Sequence, residues 1–210
     1  MRNDAAIPST PDIVRLCVWF DVDQISSSLG YELVVVPSTP PDPNPRFGRR
    51  ACSLYFVWNE QMQLDVAGYI AKDSKFATFR ILECCLVTRP QLVLLAQDGA
   101  MAFAAPSPFA QTNRMASYRL PLDFSEKKFT YPDGNSIVTQ TWQHHLDVCD
   151  QDGRWEMSFL LMVSVEPSDG TAAHIRVFTF DPETEVGGII RCDPLNASGA
   201  VPANAAVTPR

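Results

Sequence analysis

The chain has 210 residues, 46% of them hydrophobic and 20% charged, with a formal net charge of -7 at pH 7. That much apolar side chain suits one folded domain of sandwich or barrel size and argues against a wholly disordered chain. The 17 Lys and Arg are scattered singly apart from Arg49-Arg50 and Lys127-Lys128, so a phosphate backbone would be repelled and nucleic acid is not an expected partner.

Residues 1–11 carry one early cation, Arg2, and no apolar core of export-signal length; they are expected to be a flexible lead-in without a cleaved signal. From residue 12 to 22, Val14, Leu16, Val18, Phe20 and Val22 alternate with Arg15, Cys17, Trp19 and Asp21, a period of two that predicts a strand with the Val/Leu/Phe set inward. Gln24 to Leu29 reads as a turn, and the extended pattern resumes from Tyr31 to Val36. The Pro-rich run Pro37 to Pro45 fixes φ at every second or third position and has little to bury, which predicts an exposed connector or binding loop.

Ser53 to Trp58 and Met62 to Val66, separated by Asn59-Glu60-Gln61, have the look of a hairpin. Phe76 to Val87 is a long strand run closed by Arg89-Pro90, with another strand from Leu92 to Leu95. Ala96 to Thr112 turns to Gly, Ala, Pro and Ser, predicting a loop anchored by Phe103 and Phe109, and Tyr118 to Leu122 reads as a short edge strand. Val138 to Cys149 and Trp155 to Val165 are expected to pair through Asp150–Arg154, with positive φ at Gly153. Leu160 and Met162 add apolar residues to the second face of that last strand, predicting cover on both sides. Pro167 to Gly170 turns the chain into a final strand over Ala173 to Phe180.

With about eight to ten strands and no helical periodicity beyond two turns, the expected fold is all-β: an antiparallel β-sandwich or jelly roll over residues 12–190 as a single domain. Residues 191–210 are expected to be a disordered tail. No apolar run approaches the roughly 18 to 20 residues of a membrane-spanning helix, the densest being Phe159 to Val165, so no membrane span and a cytoplasmic location are expected.

The six cysteines, Cys17, Cys52, Cys84, Cys85, Cys149 and Cys192, are irregularly spaced, which favours reduced thiols over a disulfide framework. His144 and His145 are adjacent, so on one strand they point to opposite faces; His145, Asp147 and Cys149 share a face and form the best metal-like trio, lacking a fourth ligand. No Gly-x-Ser-x-Gly elbow and no Gly-rich phosphate loop before a helix is present. The expectation is therefore a non-enzyme without cofactor or metal. Exposed aromatic rings near strand ends, Trp19, Trp58, Tyr69 and Tyr131, leave room for stacking on sugar rings or for packing in a partner's pocket.

Four segments carry a family resemblance: Asp12-Ile-Val-Arg-Leu-Cys-Val-Trp-Phe-Asp-Val-Asp, Phe76 to Leu95, Trp142 to Val165, and the ending Ile175-Arg-Val-Phe-Thr-Phe-Asp-Pro-Glu-Thr-Glu-Val. Together they resemble the AidA/PixA family of bacterial inclusion body proteins over about residues 12–188. The signature is the ending Phe180-Asp181-Pro182, where Phe180 stands in place of that family's usual Trp and Glu183 in place of its aromatic or aliphatic residue. The resemblance implies an abundant bacterial protein that acts by self-association or protein interaction and has no established catalytic residues. The competing reading from the residues is a β-sandwich module binding a small molecule or carbohydrate.

Overall fold

A computed structural model describes residues 13–36, 53–94, 101–103, 105–112, 115–150 and 152–187. The expected lead-in, the Pro37–Pro45 loop and the tail from 191 lie outside them. In chain order the described strands are β1 (Ile13–Asp21), β2 (Gly30–Val36), β3 (Ser53–Val57), β4 (Gln61–Ile70), β5 (Phe76–Pro90), β6 (Leu92–Leu94), β7 (Met101–Phe103), β8 (Ser117–Arg119), β9 (Phe124–Thr130), β10 (Ser136–Trp142), β11 (Leu146–Asp147), β12 (Gly153–Pro167), β13 (His174–Phe180) and β14 (Glu183–Gly187), with a 3-10 turn at Ala110–Thr112. One large sheet runs β2-β1-β4-β10-β9 with β11 also on β4; the second runs β3-β14-β12-β5-β8 with β13 also on β12; and β6 pairs with β7 in a separate two-stranded sheet, so the expected 96–112 loop contains a strand. Among the described residues no helix is long and apolar enough to cross a membrane.

The two sheets pack face to face, as the alternation predicts. Val14, Leu16, Val18 and Phe20 of β1 and Met62, Leu64 and Val66 of β4 are buried against Met157, Phe159, Leu161, Val163 and Val165 of β12 and Phe178 and Phe180 of β13. Phe20 meets Phe79 edge-on at 5.0 Å between ring centroids and Phe178 at 4.7 Å, while Phe159 and Phe180 stack at 4.7 Å. Each such ring contributes about 1.5–3 kcal/mol by leaving water. Gly68 makes the closest approach possible: a Cβ there would lie 2.7 Å from Phe79 Cε1, so the ring rests on bare backbone of the facing sheet.

The pairing is mixed, not purely antiparallel, because β1 runs parallel to β4 and β14 parallel to β3. Two expected hairpins are absent for a shared reason. β3 belongs to the second sheet and β4 to the first, and β10 belongs to the first and β12 to the second, so both connections cross the sandwich. The crossings run side by side: Asn59 N–H donates to Val148 O at 3.2 Å, Val148 N–H donates to Glu60 O at 2.8 Å, and Trp58 Nε1–H donates to Asp152 Oδ1 at 3.0 Å. Asn59 takes φ 63° at the corner, a conformation that Asn tolerates. Gly153 is already in β12, opposite Val186, and the described glycines with positive φ are Gly134 and Gly170.

Alternation also shifts phase within strands. In β5 the register slips between Met162/Val163 of its partner, a bulge that moves the inward set from Phe79 and Ile81 to Cys84, Leu86 and Thr88. β9 follows no inward/outward pattern because most of it is exposed at a sheet edge, and nothing in its sequence marks it as a strand. The sandwich closes on this side through side chains: Gln140 Nε2 donates to Phe79 O at 2.7 Å and Lys128 Nζ to Ala77 O at 3.0 Å, beside a stretch of β5 that among the described strands pairs with β12 but not with β8. β8 is the expected edge strand, at Ser117–Arg119.

Candidate interaction surface

The trio His145, Asp147 and Cys149 does not form a metal site. β10 and β11 both pair with β4, but Trp142 and Leu146 are separated by a bulge, Gln143 to His145, that leaves the ladder. His145 Nε2 lies 3.4 Å from Asp147 Oδ1, as expected for residues brought to one side. The Asp147 carboxylate is already engaged, accepting from Gln61 Nε2 at 3.0 Å and from Gln111 Nε2, while Asp147 N–H donates to Gln111 Oε1 at 2.7 Å. These bonds tie β4, β11 and the 3-10 turn into one knot. Cys149 lies past it, its N–H donating to Pro108 O at 2.9 Å. Among the described residues no group of three His, Cys, Asp or Glu has metal-holding geometry. His144 instead faces Asp123 at 3.3 Å.

Above this knot the 105–112 segment caps the end of the core. Phe109 is buried and meets Phe56 edge-on at 5.9 Å, so the expected anchor is in place. Trp155 Nε1–H donates to Ala105 O and Thr88 Oγ1–H to Pro106 O, fixing the cap to the second sheet. Two thiols are held protonated: burial, and then Asp65 and Glu32, push Cys17 up to about 11, and burial pushes Cys84 up to about 12.

Phe180, Asp181 and Pro182 have a structural role. β13 and β14 pair with β12 in one continuous register, from His174 opposite Val165 through Phe180 opposite Phe159 to Val186 opposite Gly153. Asp181-Pro182 therefore interrupts a single long strand. Met157 N–H still donates to Pro182 O at 3.1 Å, but proline has no hydrogen to return, so one rung is missing. The chain continues as β14 instead of ending at the Asp-Pro step, and Val186 is buried with the core.

Two outer faces remain uncovered among the described residues. On the first sheet, the Trp19 indole lies across Gly30, where a Cβ would come within 2.3 Å of Cε2, and Tyr69, Phe129 and Tyr131 are exposed toward the same end. On the second sheet, Leu160 is 39% exposed, Val87 44%, Val177 48% and Ile175 57%. Leu160 and the half-buried Met162 thus face outward, and the middle of β12 is covered on one side only. An open depression of about 350 Å³ runs beside Arg176 to Phe178 of β13, walled on its far side by Gln24 to Ser27. Sequence reasoning missed this face because an aliphatic residue on a strand reads as core from either side.

No family model matches the chain, and no curated protein matches it.

Proposed function

We propose that this is a non-catalytic protein that acts by self-association, consistent with its resemblance to the AidA/PixA inclusion body family and with action inside a bacterial cytoplasm. The observation that carries the reading is the aliphatic outer face of the second sheet, where four residues of three adjacent strands, Val87, Leu160, Ile175 and Val177, are each more than a third exposed. An apolar patch that reaches a sheet edge across adjacent strands marks a surface suited to association. Support for a non-catalytic role comes from the residues with the right chemistry. The Asp147 carboxylate accepts hydrogen bonds from the Gln61 and Gln111 amides, and the thiols of Cys17 and Cys84 are held protonated.

Size-exclusion chromatography with light scattering tests this on the full chain. The expected result is a mass above the 23.3 kDa of one chain, lowered by a charged substitution on this face such as Val177→Lys. A strictly monomeric protein at every concentration would refute the reading.

A second reading, carbohydrate binding, draws on the Trp19 indole lying across Gly30 and on Tyr69 and Phe129, exposed elsewhere on the same sheet. Retardation in gels containing soluble polysaccharides, lost in Trp19→Ala, would favour it; unchanged migration in all of them would remove it.

A further inference from the structure

Resting on the self-association reading, we infer that the partner is a second copy of this chain, joined strand to strand at the edge of β13 that no described strand covers, in an antiparallel, two-fold pairing centred on Val177. In antiparallel pairs the hydrogen-bonded residues alternate. Because Met157 and Pro182 are one such pair, Phe180, Phe178 and Arg176 turn their backbone groups toward β12, and Ile175, Val177 and Thr179 turn theirs away from it. β3 pairs with β14, not with β13, so these three residues present N–H and C=O to an edge that no described strand covers.

Among the described residues no strand covers this edge, and across the open depression beside it stand Gln24 to Ser27. Exposed sheet edges are ordinarily blunted by charge, proline or shortness. β9 presents Glu126, Lys127 and Lys128, β2 presents Glu32, and β8 and β3 are three and five residues long. β13 is seven residues long, about 24 Å at the usual rise, and the side chains beside its free amides are Ile175, Val177 and Thr179. Its one permanent cation, Arg176, is withdrawn: its guanidinium donates to Gln24 O and lies 5.7 Å from the Phe76 ring centroid.

The occupant follows from self-complementarity. An antiparallel copy set so that Val177 opposes Val177, and Ile175 opposes Thr179 in both directions, matches all three outward residues with outward residues. A shift by two residues leaves one of them unmatched. In the centred register Arg176 falls opposite Phe178, so no like charges meet. The outer aliphatic faces of the two copies then become one surface, and the second sheet continues through the two-fold axis.

Cysteine trapping on the full chain reads the register. Residues opposed in a hydrogen-bonded antiparallel pair have Cα atoms about 5.5 Å apart, within disulfide reach. Under mild oxidation Val177→Cys should give a covalent dimer that the unsubstituted protein does not. Ile175→Cys alone and Thr179→Cys alone should not, whereas an equal mixture of the two should. Val177→Pro removes only an outward-facing N–H, so it should abolish the non-covalent dimer with the fold retained by circular dichroism; Val177→Lys serves as the second variant should proline strain the strand. Association in light scattering without trapping at Val177 would overturn this pairing while leaving self-association standing. Monomers throughout would overturn both.

Discussion

Truncating Phe180 to alanine puts the join between β13 and β14 under direct load. The ring is 5% exposed, stacks on Phe159 at 4.7 Å and 5° between planes, and meets Tyr31 of the first sheet at 5.5 Å. Its loss removes buried area from both sheets and leaves a cavity that rigid strands on either side cannot close, a change that typically costs about 3–5 kcal/mol. The two ring pairs account for about 0.5–1.5 kcal/mol each within that figure. With a urea dependence of about 2 kcal/mol per molar, the unfolding midpoint should fall by roughly 1.5–2.5 M. Phe180→Leu keeps most of the volume and should lose about half as much, which preserves a readable transition if the alanine variant does not fold. Asp181→Asn, at an exposed position beside the missing rung, should change the midpoint by less than about 0.25 M, equivalent to about 0.5 kcal/mol. A Phe180→Ala midpoint within about 0.3 M of the unsubstituted protein would refute the placement of this ring in the core.

Gly68→Ala should destabilise by about 1–3 kcal/mol, since its Cβ would enter the Phe79 ring at 2.7 Å; melting temperature reads this, and an unchanged value would mean the sheets are farther apart. Asp147→Ala leaves two amide side chains without an acceptor in a half-exposed knot and should cost about 1 kcal/mol, with no response to added zinc in either protein, whereas a zinc-dependent rise in melting temperature would restore the metal reading. Cys84 and Cys17 should resist thiol reagents in the native state at pH 8, with labelling rising as pH approaches about 11 for Cys17; fast labelling of both at neutral pH would contradict their burial. The same shifts have a stability sign. The folded values lie above the ordinary 9.0, so the protonated thiols stabilise fully below pH 9 and that contribution is lost as pH rises toward 11–12, which a Cys84→Ala comparison across that range detects.

Alternation made the core legible. Val14 to Phe20, Met62 to Val66 and Trp155 to Val165 all place their expected residues inward, because a buried sheet face enforces a period of two whatever its neighbours are. Pairing partners were far less legible. Asp152-Gly153 resembles a tight turn, yet at this site it lies at the end of a crossing held by Val148 and Asn59, two residues whose contacts are distant in sequence. The Phe79-to-Cys84 phase change depends on a bulge that no residue type announces, and β9 is specified by its ladder with β10 more than by its own side chains. The candidate trio fared similarly: the carboxylate and imidazole of Asp147 and His145 do meet, but Gln61 and Gln111, which decide what that carboxylate does, come from other elements. The edge of β13 that no described strand covers was not visible in sequence at all, since an edge is defined by the pairing of other strands.

The most direct test of self-association is the weight-average mass of the full chain by sedimentation equilibrium across a concentration series, run beside Val177→Lys. The expected mass climbs above 23.3 kDa with concentration for the unsubstituted protein and remains at 23.3 kDa for the lysine variant. A single mass of one chain for both proteins at every concentration would contradict it.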